Sequence, residues 1–570
     1  MNKAKTLKRK LGNPDPFLSV AWDTDDIPSQ VSVNRNSKWK DIDWKWVEKN
    51  VCKLQKLIYR ASSRGEIRKM RKYQRLLTKS YYARLLAVRH VTHDNQGSKT
   101  AGIDEIKSIS PMQRFNLVDL LYKCHLKSSP TYRRVWIPKL GRNKKLPLRI
   151  KTLYNRALQA LIKLGMEPEW EAYFEPNSYG FRPGRSTHDA IEAIYGSIKQ
   201  KPKYVLGANI SKCFDQINHD ALLGKIGRSP HRGLVKEWLK SGVLDNKQFQ
   251  APLLIPSREG IEAGTLQGGV ISPLLANITL HGMEKCLNNF AETLPGDKQA
   301  NKYALSLIRY ADNFVILHED IKVVLQAKTV IQEWLNQVGL ELKPEKTRIA
   351  HTLEEYEGEK PGFDFLGFTI RQGQEKSIKQ RFKTLIKPSS KSIKAHYRKL
   401  ADICDSHKTV STKTLIAKLN PVIRGWAKYF STVVSKKVFK ELDHLLGQRL
   451  WRWGSRRHPN KPATWVRKKY FPSIGTRNWI FNNGEYILNQ HSDIPITRHI
   501  KVKGNKSPYN GEWTYWSSRV NKYPSIRKEV TMLLKQQNNK CTSCRLSFGL
   551  RDLVECDHIV PRSEGGDNTI

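Results

Sequence analysis

The sequence has few acidic residues and no long apolar run. Its 570 residues include 52 Asp and Glu against 100 Lys and Arg, which gives a formal charge of +48. No apolar stretch approaches the roughly 18–20 residues of a membrane-spanning helix. The basic start, MNKAKTLKRKLGNPD, contains no apolar core of signal-peptide length. These absences predict a cytoplasmic protein without a membrane partner.

Aromatic and apolar residues are nevertheless plentiful. Hydrophobic residues make up 39% of the chain, which is enough for ordinary cores and excludes a disordered polycation. A basic excess spread over the whole chain indicates a large polyanion as partner. The 15 Trp and 21 Tyr supply faces on which unpaired bases can stack. At roughly 150 residues per domain, the length predicts about four domains.

The residue pattern changes along the chain. Residues 1–37 show no periodicity and predict a loosely ordered arm, whereas apolar residues recur at helical spacing from Trp39 onwards. Residues 100–375 alternate short strands, helices and Gly/Pro turns, as in an α+β enzyme, and the chain then becomes helical and more basic. In LNPVIRGWAKYF, we expect Asn420 to be the N-cap and Pro421 the first residue of a helix.

Three motifs between residues 204 and 319 indicate a catalytic site. YVLGANISKCFDQINHDALL predicts a strand, a turn and a helix, and EAGTLQGGVISPLLANITLHG predicts a Gly-rich turn that leads into a helix. RYADNFVILHE predicts two strands joined by a tight Asp-Asn turn. Each motif alone is weak evidence, but the three in this order and spacing are strong evidence.

In this order the motifs resemble those of the reverse transcriptases encoded by group II introns, the maturases. IPKLGRNKKLPLRI and NSYGFRPGRSTHDAI are similar to the fingers motifs, and LNPVIRGWAKYF is similar to the thumb, or X, domain. CTSC followed by VECDHIVPRSEGGDN resembles the family's HNH endonuclease. The resemblance implies an α+β fold: right-hand polymerase fingers and palm, a helical thumb, and small DNA-binding and HNH-type zinc regions. The implied domains are an arm (1–37), fingers and palm (38–375), the thumb (376–480), a DNA-binding region (481–535) and a partial HNH endonuclease (536–570).

The polymerase site departs from the family at its metal ligands. The family holds Mg²⁺ between three aspartates, which stand here as Asn209, Asp312 and Asn313. Three aspartates would carry a charge of −3, whereas these residues carry −1, so the site is expected to hold Mg²⁺ weakly. Asp215 does not replace the lost charge, because the family has that aspartate as well. Phe214 stands where the family excludes a ribonucleotide 2′-hydroxyl.

Other letters of the polymerase motifs also differ. The family's G-T-P-Q-G is present with Leu266 before Gln267, and Arg149 and Lys151 alter a fingers motif. Three explanations for the asparagines stay open: laboratory inactivation, a working site with amide ligands, and natural loss of polymerase chemistry. The third is favoured, because inactivation at two positions would not explain the other changes.

The C-terminal motif predicts a zinc site and part of a nuclease site. Cys541 and Cys544 have the spacing of half a zinc knuckle, which needs four ligands. By resemblance, Asp557 is a metal ligand and His558 the base that activates water. The family's second ligand pair comes after Ile570, so an incomplete nuclease is expected in this chain. Cys556 is interpreted as a packed cysteine, with a third thiol ligand as the alternative.

The resemblance implies a maturase that binds intron RNA, promotes its splicing and has lost reverse transcription. The alternative is an active reverse transcriptase and endonuclease, so the enzymatic status is undecided. The expected partners are group II intron RNA, with its own Mg²⁺, and target DNA, while a homodimer stays open. The predicted RNA-binding residues are Arg182, Lys436, Lys437, Arg449, Arg452, Arg456, Arg457, Lys468 and Lys469.

Overall fold

The computed structural model describes most of the chain from residue 39 to residue 520. The described residues are 5–9, 39–94, 102, 106, 108–123, 132–138, 145–241, 243–245, 248–250, 268–374, 382–475, 477–520, 528–542, 548, 554–560 and 564. Among them, no helix is both long and apolar enough to cross a membrane.

Helices and strands alternate through the first two thirds of the chain. The strands are β1 (Lys5–Arg9), β2 (Tyr132–Pro138), β3 (Lys145–Ile150), β4 (Tyr204–Asn209), β5 (Val243–Asp245), β6 (Gln248–Gln250), β7 (Ser306–Tyr310), β8 (Asn313–His318), β9 (Arg348–His351), β10 (Phe363–Phe365), β11 (Phe368–Gln374), β12 (Phe382–Pro388) and β13 (Val554–His558). The helices are α1 (Trp44–Ser63), α2 (Ile67–Lys79), α3 (Tyr81–Arg89), α4 (Pro111–Leu120), α5 (Leu153–Glu171), α6 (Thr187–Ile198), α7 (Cys213–Gln216), α8 (His219–Ile226), α9 (Arg232–Leu239), α10 (Ser272–Leu280), α11 (Met283–Ala291), α12 (Lys298–Ala304), α13 (Ile321–Gln337), α14 (Ser390–Ser406), α15 (Thr412–Phe430), α16 (Lys436–Arg457), α17 (Ala463–Tyr470), α18 (Trp513–Val520) and α19 (Lys528–Gln536).

Within the described residues, the strands form four sheets. The palm sheet has the order β7-β8-β4-β9, and each pair of adjacent strands in it is antiparallel. The fingers sheet has the order β3-β2-β5-β6, and β10, β11 and β12 form a third sheet next to the thumb. The fourth sheet pairs β1 with β13 and so joins the two ends of the chain.

The palm sheet is buried on both faces. Leu206 and Phe314 point into the larger core, which includes helices α5, α10 and α13. Val205 and Val315 point into a second core with α6 and the thumb helices α15 and α16. Successive side chains of a strand point to opposite faces, so each strand must be apolar on both faces. The run of apolar residues from Phe314 to Leu317 meets this requirement.

The thumb consists of helices α14 to α17 around a core of leucines and aromatic residues. Helix α15 begins at Thr412 with Ser411 as its N-cap, and Pro421 lies inside it. The prediction that the helix begins at Pro421 is therefore wrong. Asn420 instead bonds another segment, since its Nδ2 donates to the Ile487 carbonyl at 3.0 Å and its Oδ1 accepts from the Asn489 N–H at 2.8 Å.

The segment 497–519 packs against α6 through one buried carboxylate, Asp189. Its Oδ1 accepts hydrogen bonds from the Val502 N–H at 2.8 Å and from Arg519 at 2.6 Å, and it contacts His499 Nε2 at 3.1 Å. Ser186 donates to the other oxygen at 2.8 Å. The predicted DNA-binding region therefore does not stand apart from the fingers and palm, because part of it is attached to α6.

We expect Asp189→Asn to lower the free energy of unfolding by about 2–3 kcal/mol, because an amide leaves buried donors without an acceptor. The measurement is urea unfolding, with hydrogen exchange of residues 497–519 as the local readout. Exposed Asp402 on α14 provides the control Asp402→Asn. Equal exchange in both variants would contradict the role of Asp189.

The same contact predicts a dependence on pH. Burial raises the pKa of Asp189. Hydrogen bonds from His499, Ser186 and Val502 and the charge of Arg519 lower the pKa by more than burial raises it, so that it falls from 3.8 to about 2. A depressed folded pKa stabilises the protein above the unfolded value. The contribution is therefore fully present above about pH 4 and is lost as the pH falls towards 2. Asp189→Asn should lack this part of the acid-induced destabilisation.

Candidate polymerase-type site and thumb surface

The three residues of the predicted polymerase site meet at one end of the palm sheet. Asn209 is the last residue of β4 and pairs with Asn313, the first residue of β8. Tyr310 pairs with Asn313 across the hairpin, so the two-residue turn is Ala311-Asp312 and not Asp-Asn. Ala311 adopts a left-handed conformation with φ of 55°. The predicted turn is therefore shifted by one residue.

The three side chains satisfy one another. Asn209 Nδ2 donates to Asp312 Oδ2 at 3.1 Å and to Asn313 Oδ1 at 2.8 Å. Asn313 Nδ2 donates to Asp312 Oδ1 at 3.0 Å. Both carboxylate oxygens of Asp312 therefore accept an amide N–H, and Asn209 is 7% exposed. We call this arrangement the amide–carboxylate network.

Catalytic Mg²⁺ does not fit this network as it stands. Mg²⁺ requires oxygen ligands in near-octahedral geometry and is bound through carboxylates. Here one carboxylate is present, and each of its oxygens already accepts an amide N–H. A cation that displaced these N–H groups would gain only neutral amide oxygens in their place. The network can hold the hairpin in place, and it is poorly suited to metal-assisted phosphoryl transfer.

Residues outside the predicted triad hold the hairpin in place. Arg309 is fully buried, and its guanidinium donates to Asn277 Oδ1 at 3.1 Å and to the Ala311 carbonyl at 3.3 Å. Burial lowers the pKa of Arg309 to about 10. Asn277 Nδ2 donates to the Gly180 carbonyl at 2.8 Å. A Cβ at Gly180 would lie 2.3 Å from the Ala311 nitrogen, so only glycine fits there. Gly180 and Asn277 stand in motifs quoted for the family, but their role needs the three-dimensional contact.

Three further residues of the polymerase motifs are Phe214, Gln267 and Lys151. Phe214 on α7 is partly buried and packs against the larger core, next to the strand end that carries Asn209. Gln267 lies outside the described residues. Lys151 is 2% exposed, and its ammonium lies 5.5 Å from the centre of the Trp238 ring. This lysine therefore lies inside the protein and not on an open nucleotide-binding surface.

The prediction that Arg182 contacts RNA does not fit its position. The residue is 4% exposed, and its Nε and Nη2 donate to the two oxygens of Glu171 at 2.8 and 3.0 Å. Its Nη1 donates to the carbonyls of Glu175 and Ser178. Four of the five guanidinium N–H donors therefore have acceptors inside the protein, and the buried group is not available to a phosphate. Arg182 stabilises the loop before α6.

The thumb residues predicted to bind RNA divide into two groups. The first group is bonded within the protein: Lys436 donates to the carbonyls of Ser492 and Ile494, Arg449 pairs with Asp405, and Arg457 stacks 4.4 Å from the Trp453 ring centre. Lys469 lies 4.7 Å from the Trp465 ring centre. The second group is exposed on α16 and α17 and consists of Lys437, Arg452, Arg456 and Lys468.

The C-terminal residues predicted to bind metal are only partly described. Cys541 is 2% exposed and packs with Leu533, Leu534 and Phe548, and Cys556 packs against the same cluster. Cys544 lies outside the described residues. Asp557 and His558 lie on β13, opposite residues of β1. Among the residues that the structure describes, no group of three or more His, Cys, Asp or Glu is arranged to hold a metal ion.

A palm sheet with a polar hairpin at its end, a fingers sheet and a helical thumb together define the right-hand fold of a nucleic-acid polymerase. Comparison with known families agrees. Residues 39–121 match the N-terminal domain of reverse transcriptase, residues 137–370 match reverse transcriptase (RNA-dependent DNA polymerase), and residues 393–471 match the group II intron maturase-specific domain.

Curated relatives support the same assignment. Protein YkfC of Escherichia coli (strain K12) is 30% identical over 334 residues, which cover 52% of this chain and 82% of that protein. Group II intron-encoded protein LtrA of Lactococcus lactis subsp. cremoris is 29% identical over 350 residues, which cover 50% of this chain and 55% of that protein. Maturase-like protein 1 of Euglena gracilis is 26% identical over 412 residues, which cover 70% of this chain and 78% of that protein. The chain belongs to the group II intron reverse transcriptase and maturase family.

We expect Asn209→Asp with Asn313→Asp to create a magnesium-dependent protein. Three adjacent carboxylates repel one another, so without Mg²⁺ the double variant should be about 2–4 kcal/mol less stable than the parent. Mg²⁺ should restore its melting temperature by binding the folded state, whereas the parent should respond little. The measurement is thermal unfolding with chelator and with Mg²⁺.

Exposed Asn289 on α11 provides the control Asn289→Asp. If Mg²⁺ raised the melting temperature of the parent as much as that of the double variant, the amide site would be shown to bind metal.

Proposed function

We propose that this protein is a splicing maturase that binds the folded RNA of a group II intron and no longer copies RNA into DNA. The thumb and the basic fingers hold the RNA in the form in which it splices, and the RNA supplies the chemistry of splicing. The relatives include proteins named as intron-encoded or maturase-like, which supports an intron RNA as the partner.

The amide–carboxylate network carries the proposal. Template copying needs carboxylates that hold Mg²⁺ against the primer end and the triphosphate. In this chain Asn209 and Asn313 direct N–H groups at Asp312, the remaining carboxylate. RNA binding makes no such demand, since phosphate contacts depend on positive charge and surface shape. Template copying is therefore weakened at its metal site, whereas the positive charge and surface shape that RNA binding requires are retained.

The proposed RNA surface is the exposed part of helices α16 and α17. The side chains of Lys437, Arg452, Arg456 and Lys468 are exposed there. Each phosphate that such a surface neutralises contributes about 0.7–0.9 to the dependence of log affinity on log salt. Lys436, Arg449 and Arg457 contribute mainly by holding the thumb together, because each already contacts an oxygen or a ring of the protein.

The test scores splicing and cDNA synthesis in one reaction, with intron RNA, a primer and low Mg²⁺. We expect stimulated splicing and no detectable cDNA. The triple variant Arg452→Glu, Arg456→Glu and Lys468→Glu should lose the stimulation and bind the intron with a smaller salt dependence. The matched control reverses three exposed lysines outside the thumb: Lys285, Lys298 and Lys322. Robust cDNA synthesis by the parent would overturn the loss of copying, and equal splicing by both triple variants would overturn the proposed surface.

We further propose that residues 536–570 contribute contacts to target DNA without cutting it. Cys541 lies in an apolar cluster, which suits a structural role. The expected result is less than one tightly held zinc per chain and no nicking of duplex DNA. Metal analysis of the parent, Cys541→Ser and the control Cys404→Ser measures the first point, and a nicking assay measures the second. One equivalent of zinc that Cys541→Ser removes, together with nicking, would indicate a working nuclease with Asp557 and His558.

A further inference from the structure

The thumb contains a long stretch of chain that combines positive charge with aromatic residues. Residues 445–484 include no Asp or Glu, nine Lys or Arg, and four of the 15 tryptophans. We call these residues the basic aromatic segment. Charge alone explains phosphate binding, but it does not explain why so many indole rings lie beside the charges. The position of one ring suggests an answer.

Trp479 is the most exposed indole in this segment. It is 53% exposed, although the next two residues, Ile480 and Phe481, are buried. Its backbone is left-handed, with φ of 64°. A bulky residue in that region is uncommon and strained, at a cost on the order of 1–3 kcal/mol. Folding alone would favour a glycine or asparagine here and a buried tryptophan.

The surroundings of Trp479 hold its ring in place while much of it faces solvent. The ring centre lies 5.5 Å from that of Trp451 on α16 and 5.9 Å from that of Phe471 after α17. The guanidinium of Arg467 lies 5.2 Å from the Trp479 ring centre. An aromatic ring fixed by other rings and paired with a cation is the arrangement on which unpaired bases stack.

We propose that Trp479 and Arg467 form a stacking platform for an unpaired base of the RNA that the thumb binds. This inference rests on the proposed function and adds to it a named contact and a class of ligand, a single-stranded nucleotide. The lack of acidic residues in the basic aromatic segment favours a polyanion over an apolar peptide as the occupant. A base in a duplex is already stacked on both sides, so the platform selects loops and bulges.

The test compares three RNA probes of equal length by fluorescence anisotropy. They are a single-stranded oligomer, the same backbone without bases, and a duplex. Trp479→Ala should weaken binding of the single strand by about 5- to 100-fold. It should leave the slope of log affinity against log salt unchanged, because an indole carries no charge. Binding of the abasic oligomer and of the duplex should not change. Trp479→Phe should keep part of the affinity.

One control variant and one further platform variant separate stacking from other effects. Trp46→Ala removes a similarly exposed indole from α1, 49% exposed, and should leave the binding of all three probes unaffected. Arg467→Ala should lower affinity for the single strand and reduce the salt slope by roughly 0.7. Thermal unfolding of Trp479→Phe and Trp479→Ala verifies that the thumb is folded.

Three results would overturn the platform. The first is an equal loss for the abasic and base-bearing strands, which would assign a structural role to Trp479. The second is no loss for any probe with Trp479→Ala. The third is a larger loss for a single-stranded DNA of the same length, measured as a fourth probe, than for the single-stranded RNA, which would assign the platform to the target DNA. None of these results would remove the salt-dependent binding of the intron, so the platform and the maturase proposal can fail independently.

Discussion

The register between β4 and β8 is the constraint on which the rest of the site depends. Both faces of the palm sheet are buried, so a shift by one residue would turn every apolar side chain of a strand towards the wrong core. The pairing of Asn209 with Asn313 follows from that register. The hairpin tip, the buried Arg309 below it and the close approach of Gly180 are all fixed relative to the same pair. The geometry of a polymerase site is therefore imposed by core packing, whichever polar residues occupy it.

This separation of geometry from chemistry explains how the two asparagines are tolerated. Three ionised carboxylates at these distances repel one another unless a cation is bound. Two amides remove that repulsion and replace it with hydrogen bonds that occupy both oxygens of Asp312. The amides are therefore expected to stabilise the fold without metal and to weaken metal binding. Under the proposed maturase function, which needs a positive surface and no metal site in the palm, the protein gains stability from this exchange and loses nothing that it uses.

Motif order in the sequence was sufficient to predict the family and the palm strands, and the three residues proposed as the triad lie together at one end of the palm sheet. What it missed depends on contacts between distant segments. The helix expected to begin at Pro421 begins at Thr412, because Asn420 bonds residues 487 and 489 and Ser411 caps the helix. The turn moved by one residue because Asn313 pairs as part of β8. The attachment of residues 497–519 to α6 depends on Asp189. The spacing of Asp189 from Ser186 is that of a capping box, but no neighbouring residue in the sequence predicts its bonds to Val502 and Arg519.

The basic residues show why charge alone is an incomplete guide to binding. Arg182 and Arg309 are buried and donate to a carboxylate or to carbonyl and amide oxygens inside the protein, so they serve the fold. Arg452 and Arg456 are exposed and carry their charge into solvent. The sequence alone does not separate the two kinds, because an arginine can donate its N–H groups to a partner in the protein or in RNA. Burial separates them, and it moves the candidate RNA surface away from the fingers loop at Arg182 and onto the thumb. There the positive charge, the absence of acidic residues and the exposed indole of Trp479 lie in one stretch of chain.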